Sequence, residues 1–581
     1  MNAAARASGP QASMPSASSP YASFWMAGFE GADHVNAHAE PLDLVRATGH
    51  LDLLEDDYRR VAALGLRTIR ESIGWRLTEV GPGGAGRARF DFDRPLRFAD
   101  AANRHGLQIM WTLMHYGFPP GADLFSDDFD ERFADFAGAA ARALKPLSDR
   151  PPVFTPINEI SFLAWAIAGS NFIHPYAHES SRRQRAGEPP RDVGWEAKWR
   201  LIRASLRAMK AISAEDPRAR FLHVEPLTHI VPPPQAPHLA ARADEIGRYQ
   251  WQAWDMLSGD LMPELGGTPA ALDLLGVNYY HNCQWEMDTG QRLEWHLSDP
   301  RRVSMSSLLR KVAKRFDKPI VIAETSHVGS GRALWMQDVG REIGRAMTLG
   351  VDIQGVCLYP VVDRPDWNDL AHWHNSGLFD NRPAGAPAAI ERHHHLGYTK
   401  SLLRAQRELA STAVARHPEP HLLVVSDERW QDASRSSPHL LQLARRHPVV
   451  FVEAAVAGEA TYLERLTPCA GVEVLRPHAR VDAATASIAT EAAVAALLET
   501  YLAENLIDDY LVWYRTNTDR PMRLTPAPRA VFEPGLVADV SRAEDGAGRV
   551  VPLGLVRHLP GSDPGREPHL AEPAEQQSRA A

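Results

Sequence analysis

VFTPINEIS, residues 153–161, is a short apolar run that ends in an adjacent amide and carboxylate, Asn158-Glu159. A strand built this way ends on the C-terminal rim of a parallel barrel, where side chains face an active site. KPIVIAETS (318–326) repeats the pattern and delivers Glu324. Two carboxylates on two strand ends are the minimum equipment for breaking a glycosidic bond.

Outward from these stretches, short apolar runs alternate with longer amphipathic ones from Phe24 to about Gln406. Strands are expected at 24–30, 66–72, 107–115, 153–159, 220–226, 272–280, 319–325 and 353–360. Helices are expected at 51–64, 94–105, 128–146, 195–215, 236–258, 303–315, 334–349 and 393–409. Eight strand–helix units make a (β/α)8 TIM barrel of the α/β class. The alternative, a doubly wound sheet, lacks the Gly-rich phosphate loop after its first strand.

The barrel is expected over 23–411, with a polar, proline-containing linker at 412–420. A small Rossmann-like α/β domain follows over 421–542. Its expected strands are 421–426, 448–454, 509–515 and 529–534, and its helices lie near 438–446 and 488–504. The ends, 1–22 and 543–581, are rich in Ala, Ser, Pro, Gly and Glu and are expected to be disordered.

Of the 581 residues, 44% are apolar and 23% charged, and the formal charge is −9. That balance gives no basic footprint for nucleic acid. Cys283, Cys357 and Cys469 are too widely spaced for a metal cluster or a disulfide framework, which points to a reducing compartment. The N-terminus lacks the apolar core of a signal peptide, and no window reaches the ~20 apolar residues of a membrane span. The expectation is a cytoplasmic protein with no membrane span.

On the barrel rim, Arg70 ends the second strand and is placed to hold one carboxylate ionised. Tyr280 ends the sixth and can donate a hydrogen bond to the same group. His115 alone would read as a core histidine, and Trp367 alone as core; beneath a sugar, Trp367 would be an aromatic platform. Glu225, ending the fifth strand, has no assigned role. His393, His394 and His395 read as a solvated helix end rather than a metal site.

Those motifs together resemble the clan A glycoside hydrolases, and within them the family 1 β-glycosidases. TIRESIGW (68–75), WTLMHYGFPP (111–120), GVNYY (276–280), LYPVVDRPDW (358–367) and HNSGLFD (374–380) carry the likeness. The resemblance implies that Glu159 is the acid/base and Glu324 the nucleophile of a retaining O-glycoside hydrolase that needs no cofactor and no metal. It implies that Asn158 binds the sugar 2-hydroxyl and that His115 lies on the glycone. The sequence departs from the family at Glu30 (usually Gln), Ile160 (usually Pro), Thr325-Ser326 (usually Asn-Gly) and Tyr359 (usually Trp). The core chemistry is kept while the sugar-contacting shell differs.

HLLVVSDERWQDASRSSPHLLQLARRHPVVFVEAA (421–455) resembles the start of the N-terminal lobe of GT-B glycosyltransferases, through Arg429, Trp430, Pro438 and His439. LVWYRTNTDRP (511–521) resembles a later strand of that lobe. No donor-binding lobe follows, so the resemblance implies a docking or remnant domain that engages a glycosyltransferase. A second function is therefore carried alongside hydrolysis: a transglycosidase or sugar-binding protein of glycan assembly. Carbohydrate is the expected partner in both.

Overall fold

The computed structural model describes residues 19–82, 88–182, 192–297, 299, 301–383, 390–412, 421–436, 438–444, 449–458, 462–469, 472–480, 494–498, 500–502, 510–515 and 555–558. The expected tail up to residue 18, linker residues 413–420, the strand at 529–534 and most of 543–581 lie outside them. The chain falls into two compact units. One takes residues up to 297 with 316–343 and 351–414; the other takes 298–315, 344–350 and the chain from 415.

In the first unit, eight parallel strands close a barrel in sequential order. They are β1 (Trp25–Gly28), β2 (Thr68–Ser72), β3 (Gln108–Met114), β4 (Val153–Ile157), β5 (Arg220–Pro226), β6 (Leu274–Asn278), β7 (Ile320–Thr325) and β8 (Ile353–Leu358). The barrel closes where Met26 pairs with Thr68 on one side and Cys357 on the other. Met26, Met110, Val153, Leu222, Val224, Leu274, Val321, Ala323 and Cys357 fill its interior. The strands are buried on both faces, which is why they read as continuous apolar runs rather than alternating ones.

Residues 19–22, placed by composition in the tail, are packed instead. Tyr21 is fully buried with the interior cluster, and the Ala22 N–H donates to Thr68 Oγ1 at 2.9 Å and Gln108 Oε1 at 2.8 Å. One large aromatic ring supplies the buried surface that the neighbouring Ala, Ser and Pro lack. Gly28 on β1 is required by shape: a Cβ there would stand 2.2 Å from Cδ2 of Tyr359.

The helices between strands are α1 (His50–Ala63), α2 (Asp93–Arg104), α3 (Phe129–Leu144), α4 (Ile160–Gly169), α5 (Val193–Glu215), α6 (Ala240–Arg248), α7 (Gln252–Ser258), α8 (Met305–Phe316), α9 (Arg332–Thr348) and α10 (Leu396–Thr412). The 23-residue α5 begins where Asp192 accepts the Trp195 N–H at 2.9 Å, a side-chain cap. Two elements differ from the sequence expectation. Helix α4 follows Glu159 directly, between the strand expected at 153–159 and the helix expected at 195–215, where no element was expected. His393 and His394 lie on a strand, Ile390–His394, paired antiparallel with Phe379–Pro383, not on a helix end. His395 follows it and accepts the Tyr398 N–H at 3.0 Å, ordering the start of α10. Among the described residues no His, Cys, Asp and Glu group could hold a metal ion, and no helix is long and apolar enough to cross a membrane.

The second unit holds a mixed sheet. Its strands are β9 (His421–Ser426), β10 (Val449–Val452), β11 (Val456–Gly458), β12 (Tyr462–Cys469), β13 (Val472–Arg480), β14 (Tyr510–Arg515) and β15 (Leu555–His558). The order is β11-β13-β10-β9-β14-β15, with β12 added antiparallel to β13. The central order β13-β10-β9-β14 reverses direction beside the first strand, as in Rossmann-like sheets. Alternate residues cover both faces: Leu422, Val424 and Phe451 pack with Trp430 and Leu440, while Leu423, Val425 and Val450 pack with Leu498 and Tyr501. Strand β15 falls within the expected tail and pairs antiparallel with β14.

Candidate active site

Glu324 is the penultimate residue of β7 and is 4% exposed. Arg70, on β2, donates through Nη1 to its Oε1 at 2.6 Å, and the Tyr280 hydroxyl donates to its Oε2 at 2.7 Å. A buried cation and a phenol thus occupy its two oxygens. Arg70 is itself fixed, with Nε donating to Thr112 Oγ1 at 3.0 Å and Nη2 to Asn158 Oδ1 at 2.7 Å.

Glu159 stands just beyond β4, where the chain turns into the left-handed region (φ 47°, ψ 64°) before entering α4. Such a backbone costs a non-glycine residue about 1–3 kcal/mol and gathers at functional sites. The turn lets adjacent Asn158 and Glu159 serve the same pocket. The carboxylate accepts from neutral donors: the Tyr116 hydroxyl at 2.6 Å and Asn278 Nδ2 at 2.9 Å. Desolvation, and then the negative charge of Glu324, push its pKa up. The two glutamates thus differ in their partners: Glu324 accepts from a cation and a phenol, while Glu159 accepts from neutral donors and is inclined to keep its proton.

A chain of hydrogen bonds of fixed direction runs from Arg70 to Glu30. Because Asn158 Oδ1 accepts from Arg70, its Nδ2 is the donor, to the Tyr116 oxygen at 3.0 Å and to His115 Nε2 at 3.2 Å. His115 Nδ1–H then donates to the Tyr359 oxygen at 3.3 Å, and Tyr359 donates to Glu30 Oε1 at 3.4 Å. Burial, and then the Arg70 charge, lower the His115 pKa well below its usual value, so the imidazole is neutral as this chain requires. Glu30 also accepts from Arg364 Nε at 2.9 Å and the Ala32 N–H at 3.0 Å. Glu30 and Tyr359 are thus hydrogen-bonded neighbours. Trp367 is half-buried, with the Arg364 guanidinium 5.5 Å above its ring.

All eight residues singled out in the sequence, Glu30, Arg70, His115, Asn158, Glu159, Tyr280, Glu324 and Trp367, belong to this unit. The first seven are linked by these hydrogen bonds. Trp367 joins them through Tyr116, whose ring centroid is 5.9 Å away. Glu225 lies behind Glu159, with both oxygens accepting the Ser161 N–H at 3.1 and 3.3 Å in the first turn of α4. Sequence reading missed Tyr116 and Asn278, although both fall inside motifs it quoted. A surface cavity of about 360 Å³, lined by Arg67, Asn103, Gln108 and Trp111 among others, contains none of these residues.

The chain matches no protein-family model and no curated protein. Among solved structures it is similar to the β-glucosidase from Thermotoga maritima in complex with deoxynojirimycin, at 16% identity. That match covers 66% of this chain and 97% of the other, with a TM-score of 0.50. The family 1 β-glucosidase from Thermotoga maritima gives 15% identity, 66% and 97% coverage and a TM-score of 0.50. The AHE enzyme from Alicyclobacillus herbarius gives 15%, 67% and 97%, and 0.50. At such identities the likeness is one of fold: residues up to about 410 form a (β/α)8 barrel of the kind β-glucosidases have.

Proposed function

We propose that the barrel is a retaining glycoside hydrolase that cleaves O-glycosidic bonds. The observation that carries this reading is the contrast between the two glutamates: Glu324 on Arg70 and Tyr280, Glu159 on Tyr116 and Asn278. A Glu324 oxygen bonds to the anomeric carbon as that carbon's bond to the glycosidic oxygen breaks. The departing oxygen keeps the electron pair and takes the proton of Glu159. Glu159, now a carboxylate, removes a proton from water, whose oxygen bonds to the anomeric carbon and releases Glu324. Asn158 takes the sugar 2-hydroxyl, His115 and Glu30 take hydroxyls further round the ring, and Trp367 lies beneath it. The side chains of this pocket supply both steps without a metal or organic cofactor.

Replacing Glu324 by Gly removes the nucleophile and is expected to abolish turnover of aryl glycosides, with azide restoring it as a glycosyl azide. A Glu324→Gly protein that kept wild-type turnover would end this assignment. The second reading, transfer to a sugar or alcohol in glycan assembly, draws on the Rossmann-like order of the C-terminal sheet. In it, residues 421–542 dock a glycosyltransferase in the cytoplasm. Arg429 Nη1, the Trp430 N–H and Arg476 Nε all donate to Glu453, so the Arg-Trp pair serves a structural corner. That corner suits a docking domain better than a transferase. Products formed with an added acceptor alcohol separate the two readings: water-only products exclude transfer.

A further inference from the structure

Helix α4 leaves the acid/base residue directly and is apolar almost throughout. Ile160, Leu163, Ala164, Ala166 and Ile167 are buried, yet Trp165 is 53% exposed and Phe162 is half-buried. Three residues apart, these two rings share one side of the helix. Phe172, just beyond the helix, is 36% exposed and meets Trp165 edge-on at 5.9 Å between centroids. Inward, Trp165 lies 5.8 Å from Phe162, and Phe162 lies 5.3 Å from Tyr116, whose hydroxyl holds Glu159. Four rings thus run from the acid/base to the surface, from Tyr116 at 1% exposure outward.

We infer that this strip is an extended leaving-group site that binds an oligosaccharide of at least two sugar rings beyond the cleaved bond. The inference rests on the hydrolase reading for its direction: the acid/base protonates the leaving oxygen, so what surrounds Glu159 faces the leaving group. The occupant follows from the exposure of the rings. A sugar lays its C–H face on an aromatic ring and keeps its hydroxyls in water, which suits half-exposed, successively tilted rings. A wholly apolar leaving group is better served by an enclosed pocket that buries most of its surface.

The test measures calorimetric binding of β-linked gluco-, manno- and xylo-oligosaccharides of two to five residues to the full chain. Wild type is compared with Trp165→Ala and Phe172→Ala. Affinity is expected to rise with length in one series. Trp165→Ala should weaken the tetramer about tenfold, near the upper end of what one stacked ring contributes, and leave the dimer unchanged. Turnover of the matching glycosyl fluorides, whose leaving group has no ring, should be unaltered in both variants. No length dependence in any series, or the same length dependence in Trp165→Ala, would overturn the strip. Tighter binding of isoprenoid or polycyclic aryl glycosides, lost in Trp165→Ala, would overturn the choice of sugar. Fluorides turned over without length dependence leave the hydrolase standing and the strip refuted. Length-dependent binding without turnover of any fluoride does the reverse.

Discussion

Tyr116 and Asn278 hold Glu159 in place, and both favour its ionised form, while desolvation and Glu324 oppose it. Removing the Tyr116 hydroxyl by Tyr116→Phe takes away a donor to the carboxylate, so the Glu159 pKa should rise further. In the pH profile of kcat/KM, the alkaline limb reports the free enzyme's acid, and that limb should move to higher pH. In the proposed hydrolase, the step in which ionised Glu159 activates water should slow about tenfold, a little under one lost hydrogen bond to a charged group. An alkaline limb that stays put or moves down would show that Tyr116 does not act on Glu159. At this scale the sequence was partly legible. Arg70 could be paired with a carboxylate because it lies on β2, where side chains alternate predictably. Tyr280, two residues past the end of β6, was reached because that strand was expected to run as far as residue 280. Tyr116 could not, because β3 stops at Met114 and strict alternation of side chains stops with it. Asn158 and Glu159 would likewise point apart on a regular strand; the left-handed turn at Glu159 brings them together.

Among elements, α4 shows why Glu225 is in the site's neighbourhood. Its carboxylate accepts at the first turn of the helix, where backbone N–H groups lack helical partners. Burial, ahead of every other influence, pushes its pKa up to about 7. A carboxyl whose folded pKa exceeds its unfolded value loses its proton first in the unfolded chain. Stability therefore falls as pH rises from about 4.5 toward 7 and is level beyond. Glu225→Gln keeps an acceptor but cannot ionise, so the difference in melting temperature, variant minus wild type, should increase across that window. A difference that is flat with pH would mean that Glu225 does not titrate in the folded protein. The same substitution removes a negative charge near Glu159 and should move the alkaline limb of activity to lower pH. The apolar run ISFLAWAIAG gives α4 no helical periodicity, which is why no helix was expected between residues 159 and 195. The strand at 390–394 failed for another reason: it pairs as a hairpin with residues 379–383, but its run IERHH is charged and imidazole-rich rather than apolar, so it carries no strand pattern. Most barrel strands were legible because they are buried apolar runs set off by polar loops; β2, TIRES, is the exception.

Across the whole barrel unit, closure brings together residues more than 300 positions apart. Arg392, on the hairpin strand after β8, donates through Nε and Nη2 to both oxygens of Asp57 on α1, each at 2.7 Å. Asp57 contacts His50 Nδ1 at 2.7 Å, and His50 Nε2 reaches Glu71 on β2 at 3.0 Å. Tyr58 adds a donor to Glu71 at 2.9 Å. His50, Asp57 and Arg392 have no exposed side-chain surface. Two carboxylates and one arginine leave a negative excess. Against the cost of burial, Glu71 and Asp57 therefore hold the His50 pKa up at about 9. A raised histidine stabilises fully below its unfolded pKa of about 6.5, and that contribution is lost as pH climbs through 9. Replacing Arg392 by Met strands Asp57 without its bidentate partner. The expected cost is about 3–5 kcal/mol, the usual result of breaking a buried pair from one side. Denaturant titration of the full chain, followed by far-ultraviolet circular dichroism, should show one transition move to lower denaturant. Adding Asp57→Leu removes the second charge as well and should recover much of the loss. If Arg392→Met alone is neutral, or the double variant is no better than the single one, the cluster does not fasten the ends of the barrel. The first and last elements would then be held by strand pairing and apolar burial alone.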